Sequence, residues 1–305
     1  MSAGAAWNFW KTVQTVSPRA VEDEANALFK LAVVGNPEAR RRVREAFLTE
    51  RATDEEREEA AAYLREFDEA PDADTARAYA FTLYPPDDPA QPLGARGENS
   101  VPLSGTVEQV AAQMIEQKPT LTVALARRFP LFRQPAANKI IRETAKVNAG
   151  VALVSALPGV LPISAIFLPA SSVADVILLT KNQVVMIMRI AAAHGRKPAY
   201  TKQIKELIGT VGAALGWRTL VREVAGLVPA GVGVAIKASI AYSGTVAAGK
   251  AAYWFYHTGK KPTPEAIRTA FDESKDEAKR AVKDLRGNEP AGEPVGEPAD
   301  APAVQ

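Results

Sequence analysis

FKLAVVG, residues 29–35, is a short apolar run that ends in glycine. Its length and its glycine stop indicate a buried β-strand. Asn36 and Pro37 follow, and proline suits the first position of a helix because it has no N–H to leave unpaired. The sequence therefore predicts a strand–turn–helix unit in which a basic helix covers residues 38–48.

Further helices and short strands are predicted after this unit. A strongly charged helix is expected over residues 54–67, strands over 76–84 and 101–103, and helices over 106–115 and 120–128. Strands that alternate with helices favour a small α/β unit. We predict an α+β fold overall: a small degenerate, P-loop-like α/β part over residues 1–122, a mainly α-helical hydrophobic domain over 123–261, a charged C-terminal helix over 262–286 and a disordered tail over 287–305.

A strand, a glycine and a helix also begin the P-loop of nucleotide-binding proteins. A working loop reads G-x-x-x-x-G-K-[ST], with a nest of backbone N–H groups, a lysine for the phosphates and a hydroxyl for Mg²⁺. After Gly35, the positions of the second glycine, the lysine and the hydroxyl hold Arg40, Arg41 and Arg42. These four residues form a weak candidate anion site at a helix N-terminus. The alternative is an ordinary strand–turn–helix with a solvated basic face.

Composition excludes several classes of site. The chain has no cysteine, which removes thiolate metal sites and cysteine nucleophiles, and its two histidines cannot build a histidine-based metal site alone. The 37 basic and 35 acidic residues are too balanced for bulk nucleic-acid binding. Neither D-x-x-G after a strand nor N-K-x-D is found. We therefore predict a protein that is not an enzyme, with no catalytic residue, cofactor, metal or nucleic-acid partner.

Residues 147–174, VNAGVALVSALPGVLPISAIFLPASSVA, carry no charged side chain. A helix needs about 20 mostly apolar residues to cross a bilayer, and this stretch is long enough. Three prolines and two glycines make it a poor straight helix, so a shallow hairpin in the membrane is equally compatible. A buried helical bundle is the alternative. The sequence predicts a transmembrane or membrane-hairpin segment here.

A second apolar stretch, residues 228–249, is interrupted by Lys237 and followed by an aromatic cluster. Aromatic and basic side chains are common where a protein meets the surface of a bilayer. We predict contact with membrane lipids at the cytoplasmic side of a bacterial inner membrane through Lys139, Arg142, Lys146, Trp254 and Phe255. A protein partner is also expected.

Several phrases of the second half resemble the YcjF-like domain of unknown function, which is found C-terminal to Era-like small GTPase domains. The resemblance covers roughly residues 125–259. It is carried by ALARRFPLF (124–132), KIIRETAKVN (139–148), DVILLTKNQVVMIM (175–188), VREVAGLVPAGVG (221–233) and KASIAYSGTVAAG (237–249). It implies a helical, membrane-associated module without an assigned activity, and a front half that is a shrunken relative of a GTPase domain.

Three functions follow as expectations. The first is a membrane-associated, pseudo-GTPase-like adaptor or scaffold without catalysis. The second is a helical interaction scaffold in which the apolar helices form one core. The third is a nucleotide-binding, GTPase-like enzyme with an unusual phosphate loop, which would need a Mg²⁺ ligand near Gly35.

Overall fold

The computed structural model describes residues 17–48, 52–84, 99–103, 105–154, 170–197 and 234–287, and of residues 170–177 the backbone alone. The predicted tail lies outside this part of the chain, apart from Gly287, the last residue of a helix, and so does the phrase of residues 221–233 on which the resemblance partly rests. So do residues 155–169, the centre of the uncharged stretch.

The front half alternates strands and helices around a small sheet. Its elements in chain order are α1 (Arg19–Ala25), β1 (Leu31–Val34), α2 (Pro37–Leu48), α3 (Asp54–Ala61), β2 (Leu64–Phe67), α4 (Ala73–Arg77), β3 (Phe81–Tyr84), β4 (Ser100–Pro102) and α5 (Val107–Gln117). Two helices begin with a capping box, in which Thr53 or Thr106 exchanges hydrogen bonds with the residue three positions later.

Helices alone make up the described part of the second half. These are α6 (Thr122–Arg128), flanked by the 3-10 turns Pro119–Leu121 and Pro130–Phe132, then α7 (Arg133–Val154), α8 (Ala170–Ala193), α9 (Val234–Thr258), α10 (Pro264–Glu273) and α11 (Lys275–Gly287). The prediction of a fold that combines α-helices with a few β-strands is confirmed, and the structure adds that the sheet is parallel.

All strand pairs in the sheet are parallel, and the order is β2-β1-β3-β4. The four residues of β1 and those of β3 are fully buried, as expected for central strands that are covered on both faces. Because β2 and β3 flank β1 on opposite sides, the crossover direction changes at β1. The carboxyl end of β1 is therefore the topological switch point, where α/β sheets usually bind ligands.

Three sequence predictions of secondary structure need correction. Residues 54–67 are not one helix, because the chain leaves α3 at Ala61 and pairs Leu64 to Phe67 with β1. Residues 76–84 are not one strand, because Arg77 ends α4 before β3 begins. The charged stretch 262–286 is two helices separated at Ser274.

The two halves share packed side chains. Phe47 of α2 meets Phe129 and Phe132 edge-on, with ring centroids 5.5 and 5.3 Å apart. Arg189 of α8 forms a two-point ion pair with Glu24 of α1, at 2.9 and 2.7 Å. The start of α7 and the end of α8 thereby pack on the sheet side of the molecule.

Helices α7, α8 and α9 form the bundle. Asn148 of α7 contacts both Asn182 of α8 and Thr245 of α9, and Gly249 lies against Ile141. Since residue numbers rise in α7 as they fall in α9, these two helices are antiparallel. We call the region of residues 147–154, 178–182 and 234–245 the distal end of the bundle, because it lies away from the sheet.

The predicted transmembrane helix and the predicted inner-membrane location are wrong. Among the helices that the structure describes, none has the length and apolar character required to cross a membrane. The uncharged stretch is divided, since residues 147–154 complete α7 and residues 170–174 begin α8. Helix α7 also carries charged residues in its first half, and Arg189 of α8 is paired with Glu24.

Candidate functional site

The turn between β1 and α2 is the predicted anion site, and it lies at the switch point of the sheet. It contains just Gly35 and Asn36 before the helix begins at Pro37. Gly35 has a φ of 131°, in the region that glycine tolerates best, and its N–H donates to the carbonyl of Phe67 at 3.0 Å. Asn36 Oδ1 accepts the N–H of Ala39 at 2.9 Å and so caps the helix.

Few backbone donors remain in this turn for a phosphate. Pro37 has no N–H, the N–H of Ala39 is already bonded, and Glu38 places a carboxylate in the first turn of the helix. The resulting turn is much shorter than the nest of a P-loop.

The three arginines diverge from the turn. Arg40 pairs with Asp68, the residue after β2, at 2.9 Å and lies 3.7 Å from Glu66 of β2. Arg41 pairs with Glu45 along the helix at 3.3 Å, and Arg42 is exposed. The structure therefore does not bring Gly35 and the three arginines together around one point.

The predicted lipid-contact cations lie along α7. Lys139 is 12% exposed and is held by Glu116 of α5 at 2.7 Å and by Glu143 at 3.1 Å. Its hydrogen bond to Glu116 raises the pKa of the Lys139 ammonium above the usual lysine value. Arg142 and Lys146 are exposed. Lys139 thus joins α5 to α7.

Trp254 and Phe255 lie at the other end of the bundle from Lys146. They belong to the last turns of α9, which run beside the start of α7 because the two helices are antiparallel. Trp254 is exposed and Phe255 is half-buried, with its ring against Tyr256. The five residues therefore do not form one surface.

A buried polar network in the bundle was not foreseen from the sequence. Asn148 is fully buried; its Nδ2 donates to Thr245 Oγ1 at 2.9 Å, and its Oδ1 accepts from Asn182 Nδ2 at 2.8 Å. Thr245 Oγ1 in turn donates to the carbonyl of Ala241 at 2.8 Å. Gln183 Nε2 lies 3.4 Å from Thr245 Oγ1. Three helices are thus joined by side chains whose hydrogen-bonding capacity is well used.

A second unforeseen group surrounds His194 at the end of α8. Its Nδ1 lies 2.8 Å from the carbonyl of Ile190, its ring contacts those of Tyr253 and His257, and its Nε2 has no partner among the described residues. Burial lowers the pKa of His194 to about 4, and the nearby positive charge of Arg133 acts in the same direction. The imidazole is therefore neutral at pH 7.

Because the pKa of His194 is lowered in the folded chain, we expect the protein to lose stability in mild acid. Unfolding returns its pKa from about 4 to about 6.5, so the unfolded chain binds the proton first. The contribution of the neutral His194 to the free energy of unfolding is fully present above pH 6.5. It declines by about 2 kcal/mol, after allowance for partial exposure, as the pH falls towards 4. Urea unfolding at pH 7.5 and pH 4.5 measures it.

His194→Gln should reduce this pH dependence, whereas His257→Gln, at an exposed position, should keep most of it. Equal slopes for the wild type and His194→Gln between pH 7.5 and 4.5 would contradict the assignment.

Four large apolar side chains are exposed at the distal end. Val147 and Val154 share one face of α7, since they are seven residues apart, and Leu178 of α8 and Ile236 of α9 lie at the same end. They are between 44 and 54% exposed. The other large apolar side chains that the structure shows as exposed, Leu28, Val107 and Trp254, belong to other parts of the molecule.

No group of three or more histidine, aspartate or glutamate side chains in the described ranges is arranged to hold a metal ion. Comparison with known proteins finds no matching family, no matching curated protein and no matching solved structure. The resemblance to the YcjF-like domain therefore stays a prediction.

Proposed function

We propose that the chain is a non-catalytic interaction scaffold, in which the distal end of the bundle binds a protein partner. The observation that carries this proposal is the set of four exposed apolar side chains on three neighbouring helices. Large apolar side chains gathered in one region of a surface are typical of sites for association. The buried polar network lies beside them and fixes the relative positions of these helices.

The geometry of the β1–α2 turn supports the non-catalytic part of the proposal. This unit has the strand, glycine and helix of a degenerate P-loop, but Asn36 occupies the helix N-terminus and Arg40 is engaged by β2. A nucleotide would have to displace the cap and overcome the negative charge of Glu38. On this proposal, the predicted relationship to GTPases is one of fold, and the nucleotide site has been lost.

Site-specific photocrosslinking in cells tests the partner site. A benzoylphenylalanine at Leu178 or Ile236 should give the same discrete adduct with another protein, and Val154→Glu should reduce its yield severalfold by placing a charge in the contact. Arg268, exposed on α10, is the matched control position and should give no such adduct. Adducts of equal yield at all three positions, or none at the distal end, would overturn the proposal.

Calorimetry tests the loss of nucleotide binding. Titration of GTP or ATP with Mg²⁺ into the full chain should give no binding heat at millimolar ligand. Heat that is abolished by Arg40→Ala, with the fold retained by circular dichroism, would instead support the nucleotide-binding enzyme expected as an alternative.

A further inference from the structure

A groove of about 650 Å³ lies between α9, α10 and α11, a volume in the range of small-molecule sites. Its floor is apolar and includes Ile236, Ile240, Phe271 and Val282. Helix α11 is held on one side of the groove by Tyr242, whose hydroxyl donates to Glu277 at 2.9 Å. The groove is therefore formed by helices that are fixed to each other.

The rim of the groove is basic. Lys275, Lys279, Lys283 and Arg286 all line it, and their spacing of four, four and three residues places them on one side of α11. Glu277 and Asp284 lie on the opposite side of the helix. Four of the five cations of α11 thus lie towards the groove, and Arg280 does not.

Two of the four cations have acidic neighbours. Lys275 pairs with Asp272 at 2.5 Å and Lys279 with Asp276 at 3.0 Å, all of them largely exposed. Exposed pairs of this kind contribute little and exchange readily with another anion. Within the ranges that the structure covers, Lys283 and Arg286 form no ion pair.

A buried hydroxyl also faces this groove. Ser243 is 1% exposed and lines the groove, and its Oγ has no hydrogen-bond partner among the described residues. Leaving such a group unpaired is costly, because it has lost water without gaining a replacement. A ligand that brings an acceptor oxygen to Ser243 would satisfy it.

We propose that this groove binds a carboxylate carried on an apolar chain, such as a medium-chain fatty acid. The carboxylate accepts a hydrogen bond from Ser243 and is neutralised by the lysines of α11, because Ser243 lies on the part of α9 that α11 covers. The chain lies along Ile240 and Ile236. Charge complementarity at the rim selects an anion, and the apolar floor selects its tail.

Titration calorimetry of the full chain with sodium decanoate, below its micelle concentration, tests this site. Decanoate should bind at one site, and octanoate about 15-fold more weakly, because it lacks two methylenes and each buried methylene contributes about a fourfold gain. Decyltrimethylammonium, which carries an apolar tail one carbon longer and the opposite charge, should bind at least tenfold more weakly than decanoate.

Variants assign the contacts. Ser243→Ala should weaken decanoate about tenfold, as expected for the loss of a hydrogen bond to a charged group. Lys279→Glu with Lys283→Glu should weaken it further, and Arg280→Glu, on the same helix but outside the groove lining, should leave the affinity within twofold. Circular dichroism confirms that each variant is folded.

Three results would overturn the site: no binding of decanoate at millimolar concentration, equal binding of the cationic amphiphile, or affinities unchanged by both groove variants. The two sites share Ile236, but Val147, Val154 and Leu178 are not part of the groove lining, so the crosslink at Leu178 and its loss in Val154→Glu test the partner site separately from the groove.

Discussion

Gly249→Leu is expected to lower the free energy of unfolding by about 3 to 4 kcal/mol, the largest effect of any single change considered for this chain. A Cβ at this position would lie 2.4 Å from Cγ1 and 2.9 Å from Cδ1 of Ile141, which is itself buried. Neither helix can retreat easily, because α7 and α9 form the main contact of the bundle. Urea unfolding followed by circular dichroism measures the change.

Gly150 provides the matched control. It also lies within a helix of the bundle, but a Cβ added there would meet nothing within 4 Å. Gly150→Ala should therefore be neutral or stabilise by about 0.5 to 1 kcal/mol through helix propensity, whereas Gly249→Ala should destabilise despite the same gain. Shortening Ile141 to alanine should partly rescue Gly249→Ala. Equal effects of the two alanines would disprove the close approach.

Asn148→Leu is expected to destabilise the chain by about 3 kcal/mol. Leucine is close in size, but it removes the donor to Thr245 and the acceptor for Asn182, and both partners lose a hydrogen bond in or near the core. Chemical unfolding of the variant measures the loss.

A double-mutant cycle with Thr245→Val should show a coupling energy of about 1 to 2 kcal/mol, because the first substitution already removes what the second would break. Thr144→Val is the control one turn earlier on α7; the Thr144 hydroxyl bonds to Ile140 of its own helix at 2.8 Å, so its loss should cost well under 1 kcal/mol. A stabilising Asn148→Leu would mean that the network does not contribute to stability.

The front half could be partly predicted from its residues. The run FKLAVVG gave β1 because four consecutive apolar residues are buried on both faces of the sheet. Strand β2 was missed because it is an edge strand, in which Arg65 and Glu66 are exposed and the charged pattern of α3 continues into it. Its pairing with β1 is a contact between distant residues, which local periodicity does not report.

The geometry of the candidate anion site could not be predicted without strand β2. The sequence alone places Arg40 in the candidate anion site, since its acidic partners on and just after β2 cannot be placed next to β1 without the strand pairing. Similarly, Asn148 stands in an apolar stretch without any local sign of the amide and hydroxyl that meet it from two other helices. In both cases the deciding interaction joins residues far apart in the chain.

The packing of Phe47 against Phe129 and Phe132 also limits how the chain can be divided. Those two phenylalanines follow residue 122, yet their rings complete the core beneath the sheet, and Arg133 begins α7 directly after Phe132. If residues 1–122 were expressed separately, the core beneath the sheet would lose the rings of Phe129 and Phe132. The same two rings would be exposed on the other fragment.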